Sequence, residues 1–143
     1  MTLQDKSNYL KGLLILIGKD KIISKEEERA ILQLGKILGF DTKFCQDAIN
    51  ELLENKYIIE EAPKFSSKEV AISFLTDGIN LACADGNFHL SELSWLISVA
   101  EKNEIDKLWC IKKIDSLKAE SKNTNGELEF EITKLLTQKA IGQ

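Results

Sequence analysis

Proline is almost missing from this chain: Pro63 is the sole example in 143 residues. The residue that bars helix interiors therefore interrupts the sequence at one point only. Three cysteines, an odd number with no C-x-x-C spacing, exclude a disulfide framework. Cys45, Cys83 and Cys110 each fall in an apolar helical pattern, where a free thiol behaves as a small hydrophobe. Histidine occurs once, at His89, and no Ser or Cys stands at motif spacing to pair with it as a nucleophile. Phosphate-cradling Gly-rich loops, H-E-x-x-H and zinc spacings are all missing, so the chain is expected not to be an enzyme. There is no excess of positive charge either. A net charge of -4 and a pI near 5.1 argue against a nucleic-acid surface. The strongest apolar run, Leu13-Leu14-Ile15-Leu16-Ile17, is far too short to cross a bilayer and has no small-residue cleavage site behind it. It reads as a core helix, with no membrane insertion and a cytoplasmic location expected.

What is present is helical periodicity. A first helix is predicted over residues 7–18, apolar on most faces and so central to the packing. Ser24-Lys25-Glu26-Glu27 spells a capping box, followed by Ala30, Ile31, Leu34, Ile37 and Leu38 at helical spacing. Gly39 stops that helix, with Phe40 placed for the hydrophobic contact of a Gly terminus. Asp41 or Thr42 caps the next helix, whose stripe is Cys45, Ala48, Ile49 and Leu52. Residues 54–65 break the pattern, with Tyr57-Ile58-Ile59 readable as a short extended piece. Ser66-Ser67-Lys68-Glu69 offers a second capping box, opening a helix through Phe74, Leu75, Ile79, Leu81 and Ala82. Leu93, Leu96, Ile97 and Ala100 make the next apolar face, widened by Trp95 and Val99. Asp106 caps a helix burying Cys110, Ile114 and Leu117. Residues 119–126 have the composition of a solvated loop. Leu128, Ile132, Leu135 and Leu136 then fit one face of a last helix, about residues 127–141. Trp109 lies beside its stripe and is expected to be partly exposed.

Sliding the second half of the chain back until Asp85 meets Asp20 superposes the halves without a gap. The same shift aligns Glu27 with Glu92, Asp41 with Asp106, Cys45 with Cys110 and Ile49 with Ile114. Gly35 falls on Ala100, both small. The expected fold is therefore all-α, with about seven helices. Two pseudo-repeated three-helix halves, about residues 8–53 and 67–118, pack as one bundle with a C-terminal helix, all in a single domain over 1–143.

The candidate site is the corner Ala84-Asp85-Gly86-Asn87-Phe88-His89-Leu90-Ser91-Glu92. Asp85-Gly86 is a turn dipeptide, Phe88 drops into the core, and Glu92 returns one helical turn later. The second half of an EF-hand loop fits here. The first does not, because Leu81 and Cys83 stand where oxygen ligands belong. Two readings stand. In one, Asp85 closes an Asx-turn and Glu92 decorates a helix start. In the other, Asp85, Asn87 and Glu92 hold a divalent cation, whether calcium, magnesium or manganese. Asp85 ends a helix, where the macrodipole disfavours a carboxylate by roughly 0.3–1 kcal/mol. The corner at Asp20 and Glu27 is the weaker equivalent, since Lys19 and Lys21 flank Asp20 and Glu27 already serves a cap.

Leu81-Ala82-Cys83-Ala84-Asp85-Gly86-Asn87-Phe88-His89-Leu90-Ser91-Glu92, followed by an amphipathic helix, resembles the TerB-like family. That family includes tellurite-resistance proteins and a domain of a membrane-anchored DnaJ-type co-chaperone. The match holds at Asp85, Gly86, Phe88 and Glu92, and in part at Asp20, Ile23 and Glu27, where Lys21 replaces the Gly. The resemblance covers about residues 8–118. It implies an all-α fold of two related halves and a bacterial stress-response or metal-associated module, with cations bound through acidic corner residues in some members. The alternative is a protein-interaction module, engaging a protein partner or a second copy, whose acidic corners are structural.

Overall fold

The computed structural model describes residues 1–20, 23–54, 61–83, 89–121, 130–133 and 135–136, with the backbone alone at 20, 53 and 118–121. Among the described residues the chain is all-α, without a strand. The helices are α1 (Leu3–Ile17), α2 (Lys25–Leu38), α3 (Thr42–Glu54), α4 (Lys68–Cys83), α5 (Leu90–Lys102) and α6 (Lys107–Ser121). A 3-10 turn, Gly18–Asp20, follows α1, and residues 131–133 and 135–136 are helical again.

Helix α1 begins earlier than the apolar pattern suggests, at Leu3 rather than Ser7. Thr2 is its N-cap: the Thr2 hydroxyl accepts the Asp5 N–H at 3.0 Å, and Asp5 accepts the Thr2 N–H at 3.2 Å. A reciprocal cap of this kind satisfies two orphan donors. Ser24 and Glu27 repeat the arrangement at the start of α2, at 3.1 and 3.0 Å. At α4 the sequence reading needs correction. Ser67, not Ser66, is the cap, accepting the Val70 N–H at 3.2 Å. Ser66 turns away to Asp5, donating both its N–H (2.9 Å) and its hydroxyl. A tertiary carboxylate has outcompeted the local glutamate.

The starts of the helices recur at one interval. The shift that carries Asp20 onto Asp85 also carries Leu3 onto Lys68, Lys25 onto Leu90, and Thr42 onto Lys107. Helix α1 packs on α2, α3, α4 and α5, while α4 packs on α1, α5 and α6. This explains why α1 and α4 bury more of their residues than α2 or α5: each is enclosed on several sides. From Gly12 through Ile17 all of α1 is buried, and in α4 every residue from Ser73 to Ile79 is. Phe74 sits at the crossing, with Tyr9 5.3 Å and Trp95 6.1 Å away, both ring pairs edge-to-face. Gly12 makes the crossing possible, since a Cβ there would lie 2.6 Å from the Phe74 ring.

On α5 the buried face is centred on Glu92, Trp95, Leu96, Val99 and Ala100. Leu93 and Ile97 lie at its edge, half-buried, a rotation that a stripe drawn through 93 and 97 misplaces. Helix α6 runs on to Ser121, so the first residues of the expected loop are helical; residues 122–129 lie outside those described. The extended piece expected at 57–59 lies outside them too. Phe130, Ile132 and Leu135 are buried, and apart from 130–133 and 135–136 the last helix expected over about 127–141 lies outside the described residues. Among the described residues no helix is long and apolar enough to cross a membrane.

Candidate functional site

The acidic corners meet the structure at two residues, Glu27 and Glu92. Both are buried, at 5% exposure, and both occupy the third position of a helix. Glu27 Oε1 accepts the Ser24 N–H, and Glu92 Oε1 accepts the His89 N–H at 3.1 Å. A carboxylate in the first turn also complements the positive end of the helix dipole. The shared task is local: each glutamate folds the chain into its helix. Asp85 and Asn87 lie outside the described residues, as does the side chain of Asp20, so the remaining ligands of the sequence reading have no geometry here. Phe88 lies outside them likewise. Among the described residues no three His, Cys, Asp or Glu side chains gather as a metal site.

His89 is exposed at the entrance of α5, where its backbone serves as the cap. The three cysteines are free and buried. Burial, with Asp41 nearby, raises the Cys45 thiol, and burial pushes Cys110 up to about 11. Neither is poised as a thiolate at neutral pH. Lys19, expected to neutralise Asp20, also stands over the Trp95 ring, 5.9 Å from its centroid. Trp109 is half-buried, as its place beside the stripe suggests.

The polar centres that organise the interior lie elsewhere. Asp77 on α4 is 1% exposed. It accepts the Tyr9 hydroxyl from α1 and the N–H groups of Glu131 (2.5 Å) and Ile132 (3.3 Å). It thus caps, from another helix, the start of the last helical stretch. Burial pushes its carboxyl up to about 7, outweighing three donors that favour the charged form, and nearby Glu131 adds to the rise. Burial and the adjacent Asp77 carry Tyr9 well above its ordinary value as well. Asp5 shows the opposite balance. Burial pushes it up, but hydrogen bonds from Ser66 and Thr2 together hold it below its ordinary value.

Asn103, just beyond α5, is the third centre. Its Oδ1 accepts the Phe65 N–H at 2.8 Å, and its Nδ2 donates to the carbonyls of Pro63 (2.9 Å) and Val99 (2.8 Å). One amide therefore fixes the strap at residues 62–65 against the end of α5. The family models, the curated proteins and the solved structures contain no match to this chain. Its own geometry has to carry any functional reading.

Two of the surface cavities are lined by described residues. One, of about 190 Å³, lies between α1, the strap and the end of α5. The other, of about 570 Å³, lies between α4, α6 and the last helical stretch, with Ile72, Trp109, Lys113 and Leu135 among its walls. Sequence inspection missed Asp5, Asp77 and Asn103. A signal for Asp77 existed: it stands between Phe74 and Leu81 at helical spacing from each, a carboxylate on a buried stripe.

Proposed function

We propose that this chain is a non-enzymatic TerB-like stress-response protein of the cytoplasm. In this reading two equivalent three-helix halves, about residues 8–53 and 67–118, form one domain. It works by engaging a protein partner or a second copy of itself, and its acidic corners are structural. The observation that carries the reading is the matched use of Glu27 and Glu92, at equivalent places in the two halves, as helix-capping carboxylates. A glutamate already engaged in this way is a poorer cation ligand. At the same corner Leu90 is 81% exposed, a large apolar side chain with no role in the core.

The competing reading keeps a divalent cation between Asp85, Asn87 and Glu92. Titrating calcium, magnesium and manganese into the 15N-labelled chain separates the two. The partner reading expects no saturable shift confined to residues 86–92. A localised shift that disappears in Asp85→Ala would replace it with the cation reading. A second arm addresses self-association: sedimentation velocity of the wild-type chain beside Leu90→Ser, a surface change expected to alter stability by less than about 0.5 kcal/mol.

A further inference from the structure

The cavity of about 190 Å³ gathers three lysines from separate parts of an otherwise acidic chain. They are Lys11 on α1, Lys64 on the strap and Lys102 at the end of α5. Glu61 alone among the lining residues opposes them, and it is paired with Lys102 at 3.2 Å. Among the described residues Lys11 and Lys64 have no ion-pair partner. Asn8 lies one helical turn before Lys11 and lines the same cavity. Its Oδ1 accepts from Gln4 at 3.3 Å, so its amide N–H groups remain as donors.

The lysines are not brought together by chance packing of long side chains. Lys64 stands between the two strap groups held by Asn103, the Pro63 carbonyl and the Phe65 N–H. Lys102 is the residue immediately before Asn103. A single buried amide therefore holds the backbones of both lysines side by side. The far end of the strap is tied to α1, which bears Lys11, through the bonds between Ser66 and Asp5. Three lysines against one glutamate leave the lining of this cavity net positive in a chain whose net charge is -4. A bound anion is what such an arrangement stabilises.

From this convergence we infer that the cavity binds a small soluble oxyanion of the phosphate type, free or as the monoester of a small molecule. Lys11, Lys64, Lys102 and the Asn8 amide supply the donors. The volume sets the size, since pockets for drug-sized ligands run to about 300–1,000 Å³. The lysines offer point charges rather than the planar fork that arginine brings to a carboxylate, which suits a compact tetrahedral anion.

The test is titration of the 15N-labelled full chain with inorganic phosphate and with glycerol phosphate, at a constant ionic strength of about 0.15 M held with chloride. Saturable shifts at Asn8, Lys11, Gly12, Lys64 and Lys102 are expected. Lys64→Gln and Lys11→Gln should each weaken binding by about threefold or more, while Glu61→Gln should tighten it by a similar factor. All three positions are on the surface, so the variants will fold. Shifts that rise linearly without saturating, or affinities unchanged in all three variants, would overturn the inference. So would binding to vesicles containing phosphatidic acid with none to glycerol phosphate, because the determinant would then be a lipid surface.

Discussion

Gly39 and Glu104, related by the same shift as the helix starts, share a left-handed backbone, with φ of 89° and 59°. Each lies just past a helix and is followed by the same closing bond. Phe40 N–H donates to Gly35 O at 2.7 Å, and Ile105 N–H donates to Ala100 O at 2.8 Å. Glycine reaches this conformation without penalty, but a residue with a Cβ is strained there. Glu104→Gly is therefore expected to stabilise the chain by about 0.5–1 kcal/mol, and Gly39→Ala to destabilise it by about 1 kcal/mol. The space beside Gly39 is open, so the second effect is conformational alone. Urea unfolding midpoints measure both.

Asp77 makes stability depend on pH in an unusual direction. Its carboxyl is raised from 3.8 to about 7, so in this range the folded chain holds a proton that the unfolded chain releases. The contribution from this group is complete below about pH 4 and is lost as pH rises through about 7. Asp5 acts in the opposite sense, its contribution being lost as pH falls below the ordinary carboxylate value. Asp77→Asn is expected to flatten the decline between about pH 4 and 7, which denaturant midpoints at three pH values in that range would register.

Tyr9→Phe removes a hydrogen bond to the same carboxylate. The expected loss is about 1.5–3 kcal/mol above pH 7, where Asp77 is charged, and less near pH 5. Asp77 should titrate at a still higher pH in this variant, because a donor favouring its charged form has gone. A carboxyl 13C titration of the two proteins checks the direction.

Asn103 ties two segments together, and its loss should be felt in both. Asn103→Ala leaves the buried Phe65 N–H and the Pro63 carbonyl without that partner. A cost of about 2–4 kcal/mol is expected, since each unsatisfied buried group accounts for about 1–3 kcal/mol. Amide hydrogen exchange should quicken at Phe65 more than at the midpoint of α2, which lies outside this contact.

Gly12 tests the crossing of α1 over α4. Gly12→Ala would favour the isolated helix by up to about 1 kcal/mol through propensity. It would also drive a methyl group into the Phe74 ring, which Tyr9 and Trp95 hold in place. Overpacking of a fixed aromatic cluster costs about 1–3 kcal/mol and is expected to prevail, lowering the thermal midpoint.

The candidate corner was only half legible from residue order. Ser24 with Glu27 is spelled out by spacing, because a capping box is a contact within a single helical turn, whereas the bond from the His89 N–H to Glu92 emerged only with the structure. The polar centres could not be read that way. Asp5 reaches Ser66 across 61 positions, Tyr9 reaches Asp77 across 68, and Asn103 reaches Phe65 across 38. Such partners are joined by packing alone. The same long reach is why Ser66, written as a local cap, serves a different helix.

The sequence by itself determined the helical class, the stop at Gly39, the cap at Asp106, the burial of the cysteines and the common interval between helix starts. These follow from periodicity, capping and turn chemistry, all of which act over short stretches of chain. Tertiary structure alone decided which face of α5 turns inward, how far α1 and α6 extend, and where buried carboxylates find their donors. It also decided that three lysines from distant segments share one cavity. Those outcomes depend on which surfaces exclude water together, and neighbours in sequence do not fix neighbours in space.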